Sequence, residues 1–170
     1  ATTAFIDGRI RSIDHEEQGV GPATAFLDRL RVHSMDGYDV RTQVLGMTAQ
    51  HLKPGMWFKT RDQVGDGAFR RLAQKVDLEL LARLAKSDCL GREPGVFNCE
   101  AMDWFLGRAR ALGVDRRPPA PLLLGRHLLA LGLTPGPGVG DILKAVYEQQ
   151  LDGQVTTIDE AIEAARRLLE

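Results

Sequence analysis

Apolar positions in this chain recur at helical spacing almost from end to end, and the pattern is broken once, near the start. Phe5-Ile-Asp-Gly-Arg-Ile-Arg11 sets two short arms about Asp7-Gly8, which predicts a small β-hairpin. Val20, Ala23, Leu27 and Leu30 then share one face of a first helix beginning near Asp14. Val40, Val44 and Met47 mark a second helix, expected to close at Pro54-Gly55. A third helical region runs from Phe69 to about Leu90 and is expected to break near Asp77, which caps Leu78-Glu-Leu-Leu. Gly91 to Val96 reads as a connector, and Asn98 as the N-cap of a helix carrying Met102, Phe105, Leu106, Ala109 and Leu112 on one face.

Asp115-Arg-Arg-Pro-Pro-Ala-Pro121 is the strongest linker signal, because proline stiffens it and bars helix. A short helix at Arg126–Leu131, a glycine turn, a helix to about Leu151 and a last helix follow. Thr157-Ile-Asp-Glu160 is a capping box for that last helix. The chain therefore reads as all-α with one small hairpin. It divides into a helical domain at 1–94, a connecting helix at 95–114, a proline-rich linker at 115–121 and a C-terminal helical module at 122–170.

Composition changes this picture little. The chain has 170 residues, 44% hydrophobic and 26% charged, ordinary values for a globular protein with a real core. No apolar run approaches the roughly 18 residues of a membrane span. Ala-Thr-Thr-Ala at the N-terminus lacks the features of a signal peptide, and the absent Met leads us to expect a fragment or processed chain. Cys89 and Cys99 have no metal-type spacing, so free thiols in a cytoplasmic setting are expected. With 22 basic and 23 acidic residues the net charge is −1, which argues against a dominant nucleic-acid binder but hides local basic pairs such as Arg108/Arg110 and Arg116/Arg117.

Two features carry candidate chemistry. In Leu131-Gly-Leu-Thr-Pro-Gly-Pro-Gly-Val-Gly-Asp-Ile-Leu143, Gly136, Gly138 and Gly140 strip side chains from a turn that feeds a helix. Bare N–H groups at a helix start suit a phosphate, whereas the plainer alternative is a packing turn. There is no GxGxxG and no Gly-Lys-Ser/Thr, so neither a Rossmann nor a P-loop signature is present. The second feature is a set of inward-facing donors. His51 follows Val40, Val44 and Met47 along a buried stripe, His15 opens the first helix, and Asp88 follows Leu81 and Leu84. Read plainly, these are a hydrogen-bonded core histidine and a paired or capping aspartate. Read chemically, His15, His51 and Asp88 are metal ligands that activate water for phosphoester cleavage.

Gly8-Arg-Ile-Arg-Ser-Ile-Asp-His-Glu-Glu-Gln-Gly19 resembles the segment after the His-Asp doublet of HD-superfamily phosphohydrolase domains, in particular those joined to tRNA nucleotidyltransferases and bacterial poly(A) polymerases. The stretch from Arg71 to Arg92 is similar to the helix bearing that family's final Asp, and Gly125–Lys144 resembles its C-terminal RNA-contacting module. The resemblance implies an HD-like bundle remnant at 1–94 and an RNA-binding module at 122–170. It matches His15, His51 and Asp88 to the family's metal ligands, in a site that when complete takes a divalent ion (Mg, Mn, Ni or Co). The doublet itself and a polymerase acidic pair are not present, so the chain alone is expected to be inactive in nucleotide addition. Its expected partner is RNA, at the tRNA 3′ region, with no membrane; Arg116, Arg117, Arg126, Lys144 and the N–H groups of Gly136, Gly138 and Gly140 are the candidate contacts. Self-association through apolar surface is a further expectation. Two other readings are a stand-alone metal-dependent HD phosphohydrolase and a non-catalytic helical scaffold, for which Val32, Met56, Trp57 and Phe58 are the expected exposed apolar residues.

Overall fold

The structure is a computed structural model in which residues 3–91 and 98–169 are described. It is all-α with one two-stranded sheet. β1 (Thr3–Ile6) and β2 (Arg9–Ser12) pair antiparallel, with Phe5 opposite Ile10 and Ile6 opposite Arg9. Asp7 and Gly8 turn the chain with φ of 50° and 75°, the left-handed pair that a two-residue hairpin loop demands.

The chain forms two compact units, Ala1–Val64 with Leu72–Arg117, and Gly65–Arg71 with Pro118–Glu170. In the first, α1 (His15–Gln18) and α2 (Val20–Leu30) replace the single helix expected from Asp14 onward. Of that helix's expected face only Leu27 is buried, and Leu30 is exposed. α3 (Val40–Gln50) is capped by Asp39, whose Oδ1 accepts the Thr42 N–H at 2.9 Å. Pro54-Gly55 does not close this helix. It lies in the first turn of α4 (Lys53–Lys59), where a proline loses no intrahelical bond and its fixed φ suits the helix.

α5 (Asp66–Ala73) and α6 (Leu78–Gly91) break where expected, and Asp77 Oδ1 accepts the Leu80 N–H at 2.9 Å. Gly46 of α3 has a structural reason: a Cβ there would lie 2.6 Å from the Lys75 carbonyl oxygen and 3.2 Å from the Val76 Cβ. The inward stripe of α6 is Leu78, Leu81, Ala82 and Ala85. It packs with α7 (Glu100–Ala111), whose Phe105 and Ala109 are fully buried. Apart from Gly91, the connector expected at Gly91–Val96 lies outside the described residues. Cys89 and Cys99 form a disulfide with Cα atoms 6.2 Å apart, which overturns the expectation of free thiols: the packed pair α6 and α7 returns the chain so that cysteines ten residues apart meet.

In the second unit, α8 (Gly125–Ala130), α9 (Pro137–Leu151) and α10 (Ile158–Arg167) surround a core of Leu123, Leu128, Val146, Val155, Ala161, Ala164 and Ala165. Val139, Ile142 and Leu143 pack on it from the face that the sequence pattern marks. The capping box of α10 is formed. Thr157 Oγ1 accepts the Glu160 N–H, and Glu160 Oε2 accepts the N–H groups of Thr156 and Thr157. No described helix is long and apolar enough to cross a membrane.

Candidate functional site

His15 begins α1 and His51 caps the end of α3, and the structure brings their rings together. Nε2 faces Nε2 at 3.0 Å, with ring centroids 5.0 Å apart. Each Nδ1 lies on a backbone carbonyl oxygen, His15 on Ser12 at 2.7 Å and His51 on Thr48 at 2.8 Å. A carbonyl only accepts, so each Nδ1 carries a proton, and a neutral ring of that tautomer directs an Nε2 lone pair at the other. Repulsion becomes attraction when a proton or a cation sits between them. Glu16 stands by the pair, with Oε2 3.5 Å from His15 Nδ1 and buried without a hydrogen bond.

Asp88 is placed differently from its reading in the sequence. The buried stripe of α6 runs through Ala85 toward the half-buried Cys89, which leaves Asp88 and Leu84 exposed. Asp88 nonetheless lines a cavity of about 260 Å³ with His51, Leu52, Gly55, Met56, Lys59 and Met102. His15, His51 and Asp88 do not make a three-ligand cluster: among the described residues no group of three or more His, Cys, Asp or Glu side chains is placed to hold a metal ion. Two imidazoles with backbone-fixed tautomers suit a divalent ion, but a complete site needs more donors than they supply. Met56 of this lining is exposed, whereas Trp57 packs on Phe105 and Phe58 on Trp104, so two of the expected apolar patch residues are anchored. Val32 is half-buried.

The candidate RNA contacts of the C-terminal module lie at its surface. Arg126, Gly136, Gly138, Gly140 and Lys144 are all exposed. Gly132, with φ 92°, follows the end of α8 and is the glycine that the turn needs. The other three are not required by the fold. Gly136 is extended at φ 174°, none of the three has a left-handed φ, and a Cβ on Gly138 or Gly140 would meet nothing within 4 Å. No side chain caps the start of α9; Pro137 has no N–H and Val139 donates its own to the Gly136 carbonyl at 3.1 Å, so the first N–H left for a ligand is that of Gly138. Arg126 has its Nε 3.2 Å from His127 Nε2.

Arg116 and Arg117 lie in the first unit and are exposed. Arg116 is engaged: its Nε donates to Glu79 Oε2 at 2.9 Å. Glu79, on the first turn of α6, is a charged residue buried in the core. Its Oε1 accepts from Arg83 at 2.7 Å and from Arg110 at 3.5 Å. Those donors, Arg83 first and Arg116 next, hold its carboxyl below the usual range against the opposing effect of burial. The Glu79–Arg83 pair is visible in sequence as an i,i+4 spacing. Arg110 and Arg116 join it only through the fold.

Two curated proteins are similar to this chain. It is 30% identical over 158 residues to the A-adding tRNA nucleotidyltransferase of Deinococcus radiodurans, a match covering 91% of this chain and 35% of that protein. It is 35% identical over 160 residues to the CC-adding tRNA nucleotidyltransferase of Thermus thermophilus, covering 91% of this chain and 33% of that protein. No family model and no solved structure matches the chain. Over nine-tenths of its length, then, this chain is similar to tRNA nucleotidyltransferases, and it spans about a third of the length of those relatives.

Proposed function

We propose that this chain is the RNA-holding portion of a tRNA nucleotidyltransferase-type enzyme, an HD-like helical part followed by a module that receives the backbone of tRNA. The carrying observation is the start of α9: Gly138 and Gly140 are exposed, free of any packing demand and outside the left-handed region. Glycine within a helix is unfavourable by roughly 1 kcal/mol against alanine, and here the fold gains nothing in return. A polymer approaching the Gly138 N–H at the uncapped start of α9 does gain room, and Lys144 and Arg126 supply charge for its phosphates. The relatives' names specify tRNA as the substrate. The polymerising centre is assigned to parts of the enzyme outside the similarity.

The test is a pair of measurements on Gly138→Ala and Gly140→Ala. Each variant melts at or above the wild-type temperature, yet binds a fluorescently labelled tRNA transcript several-fold more weakly. Unchanged tRNA affinity in both variants would overturn the assignment of this turn.

A second reading, a metal-dependent HD phosphohydrolase, draws on the facing Nε2 atoms of His15 and His51. It requires ligands beyond the two imidazoles, and no reaction step is routed through an ion here. Calorimetric titration with Ni²⁺ separates the readings: weak binding that His51→Ala abolishes favours it, and the absence of heat in the wild type removes it.

A further inference from the structure

We infer that Arg83, Arg110 and Arg116, gathered on the carboxylate of Glu79, form a second phosphate-binding surface, in the first unit, for the backbone of a structured RNA. This rests on the RNA reading above but on residues other than those of the α9 start, and it adds Arg83 and Arg110 to Arg116. Three guanidinium groups share one buried carboxylate: Arg83 and Arg110 both reach Oε1, and Arg116 reaches Oε2. Three positive charges on one negative leave a surplus of two, in a chain whose net charge is −1. The neighbouring charges offset one another, Lys86 with Asp103 at 2.7 Å and Asp115, whose carbonyl takes the Glu79 N–H at 2.8 Å, against Arg117, so the surplus stands.

The donor count points the same way. Each guanidinium carries five N–H donors, whereas a carboxylate offers about four acceptor positions. Most of the donors are therefore unspent on Glu79. The side chains of Arg83, Arg110 and Arg116 are 67%, 57% and 73% exposed, while that of Glu79 is 9% exposed. The acid is buried beneath, and the bases stand above it with their remaining N–H groups in water. Arginines tethered by one nitrogen have lost much of their rotamer freedom before a ligand arrives, which favours binding. Their planar forks match phosphate oxygens in paired hydrogen bonds. A repeating phosphodiester satisfies a multi-cation cluster better than a single small anion does, because one polymer releases several counterions at once.

The experiment uses the full chain and a labelled tRNA transcript, with affinity measured by anisotropy across a range of salt. The double variant Arg110→Gln/Arg116→Gln lowers the slope of log affinity against log salt by about 1.4–1.8, at 0.7–0.9 per lost phosphate contact. Affinity at low salt falls by about ten-fold or more. If that variant does not fold, arginine modification by butanedione in the wild type replaces it, and tRNA protects Arg83, Arg110 and Arg116 from the reagent. A slope and affinity unchanged in the double variant, or no protection, would overturn the inference while leaving the α9 contacts standing. Wild-type protein that binds no tRNA would overturn both. Polyglutamate competing as well as tRNA at equal charge would assign the surface to an acidic protein partner and overturn it too.

Discussion

Arg71 and Asp152 meet fork to fork: Nη1 donates to Oδ1 at 2.8 Å and Nη2 to Oδ2 at 2.7 Å. The Arg71 Nε reaches Glu148 Oε2 at 2.8 Å, and Arg70 Nη1 takes the Leu151 carbonyl at the end of α9 at 2.9 Å. Residues 65–71 are thus bound into the second unit by arginines that satisfy the carbonyl end of a helix and the acids beside it. The Arg71 hydrogen bonds are the chief reason that the Asp152 carboxyl lies below its ordinary value of 3.8. A carboxylate favoured in the folded state contributes stability above that ordinary value and loses it as the pH falls through the depressed one. Asp152→Asn therefore lowers the melting temperature by a few degrees at pH 7 and removes part of the decline below about pH 4. Both side chains are about two-fifths exposed, so added salt shrinks the difference. Melting curves against pH and salt check this, and equal acid sensitivity in the two proteins contradicts it.

Gly46→Ala addresses the packing of the first unit. The new methyl would sit 2.6 Å from a backbone oxygen, which cannot swing aside as a side-chain tip can. Overpacking of this kind costs about 1–3 kcal/mol. Chemical denaturation gives the figure, and a variant as stable as wild type would show that the approach of α3 to Lys75 is looser than described.

Thr157→Ala removes the N-cap of α10, and about 1 kcal/mol of stability goes with it. Glu160 keeps its bonds to the Thr156 and Thr157 N–H groups in that variant, so the loss is partial. A midpoint shift in urea at unchanged slope is the expected signature.

Reduction acts on Cys89 and Cys99. Cys99→Ser, or reductant added to the wild type, lowers stability by about 2–4 kcal/mol through the freed denatured chain. Thiol titration of the unfolded, unreduced protein reads the bond directly, and two free thiols there would refute it.

Local chemistry made much of this architecture legible from sequence. Asp7-Gly8, Asp77 and the Thr157–Glu160 box are signals whose partners lie within a few residues, and each forms the predicted turn or cap. The meeting of His15 with His51 was only partly legible: both were expected to point inward, but the backbone carbonyls that set their tautomers depend on tertiary placement. Asp88 misled because it was aligned with Leu84, which is exposed, whereas the inward stripe passes from Leu81 through Ala82 and Ala85 and turns toward Cys89. Pro54 misled because the same residue that ends one helix can open the next. Glu79 and its arginines combine one local spacing with two contacts that only the packing of α6 and α7 supplies.

The missing side chain at Gly46 reaches further than its own contact. It lets the backbone bearing His51 settle directly against the Lys75–Val76 segment that launches α6, and so against the helix that holds both Asp88 and Glu79. One hydrogen atom in place of a methyl group thereby sets how closely α3, which leads into His51, lies to the segment that opens α6, which carries Glu79.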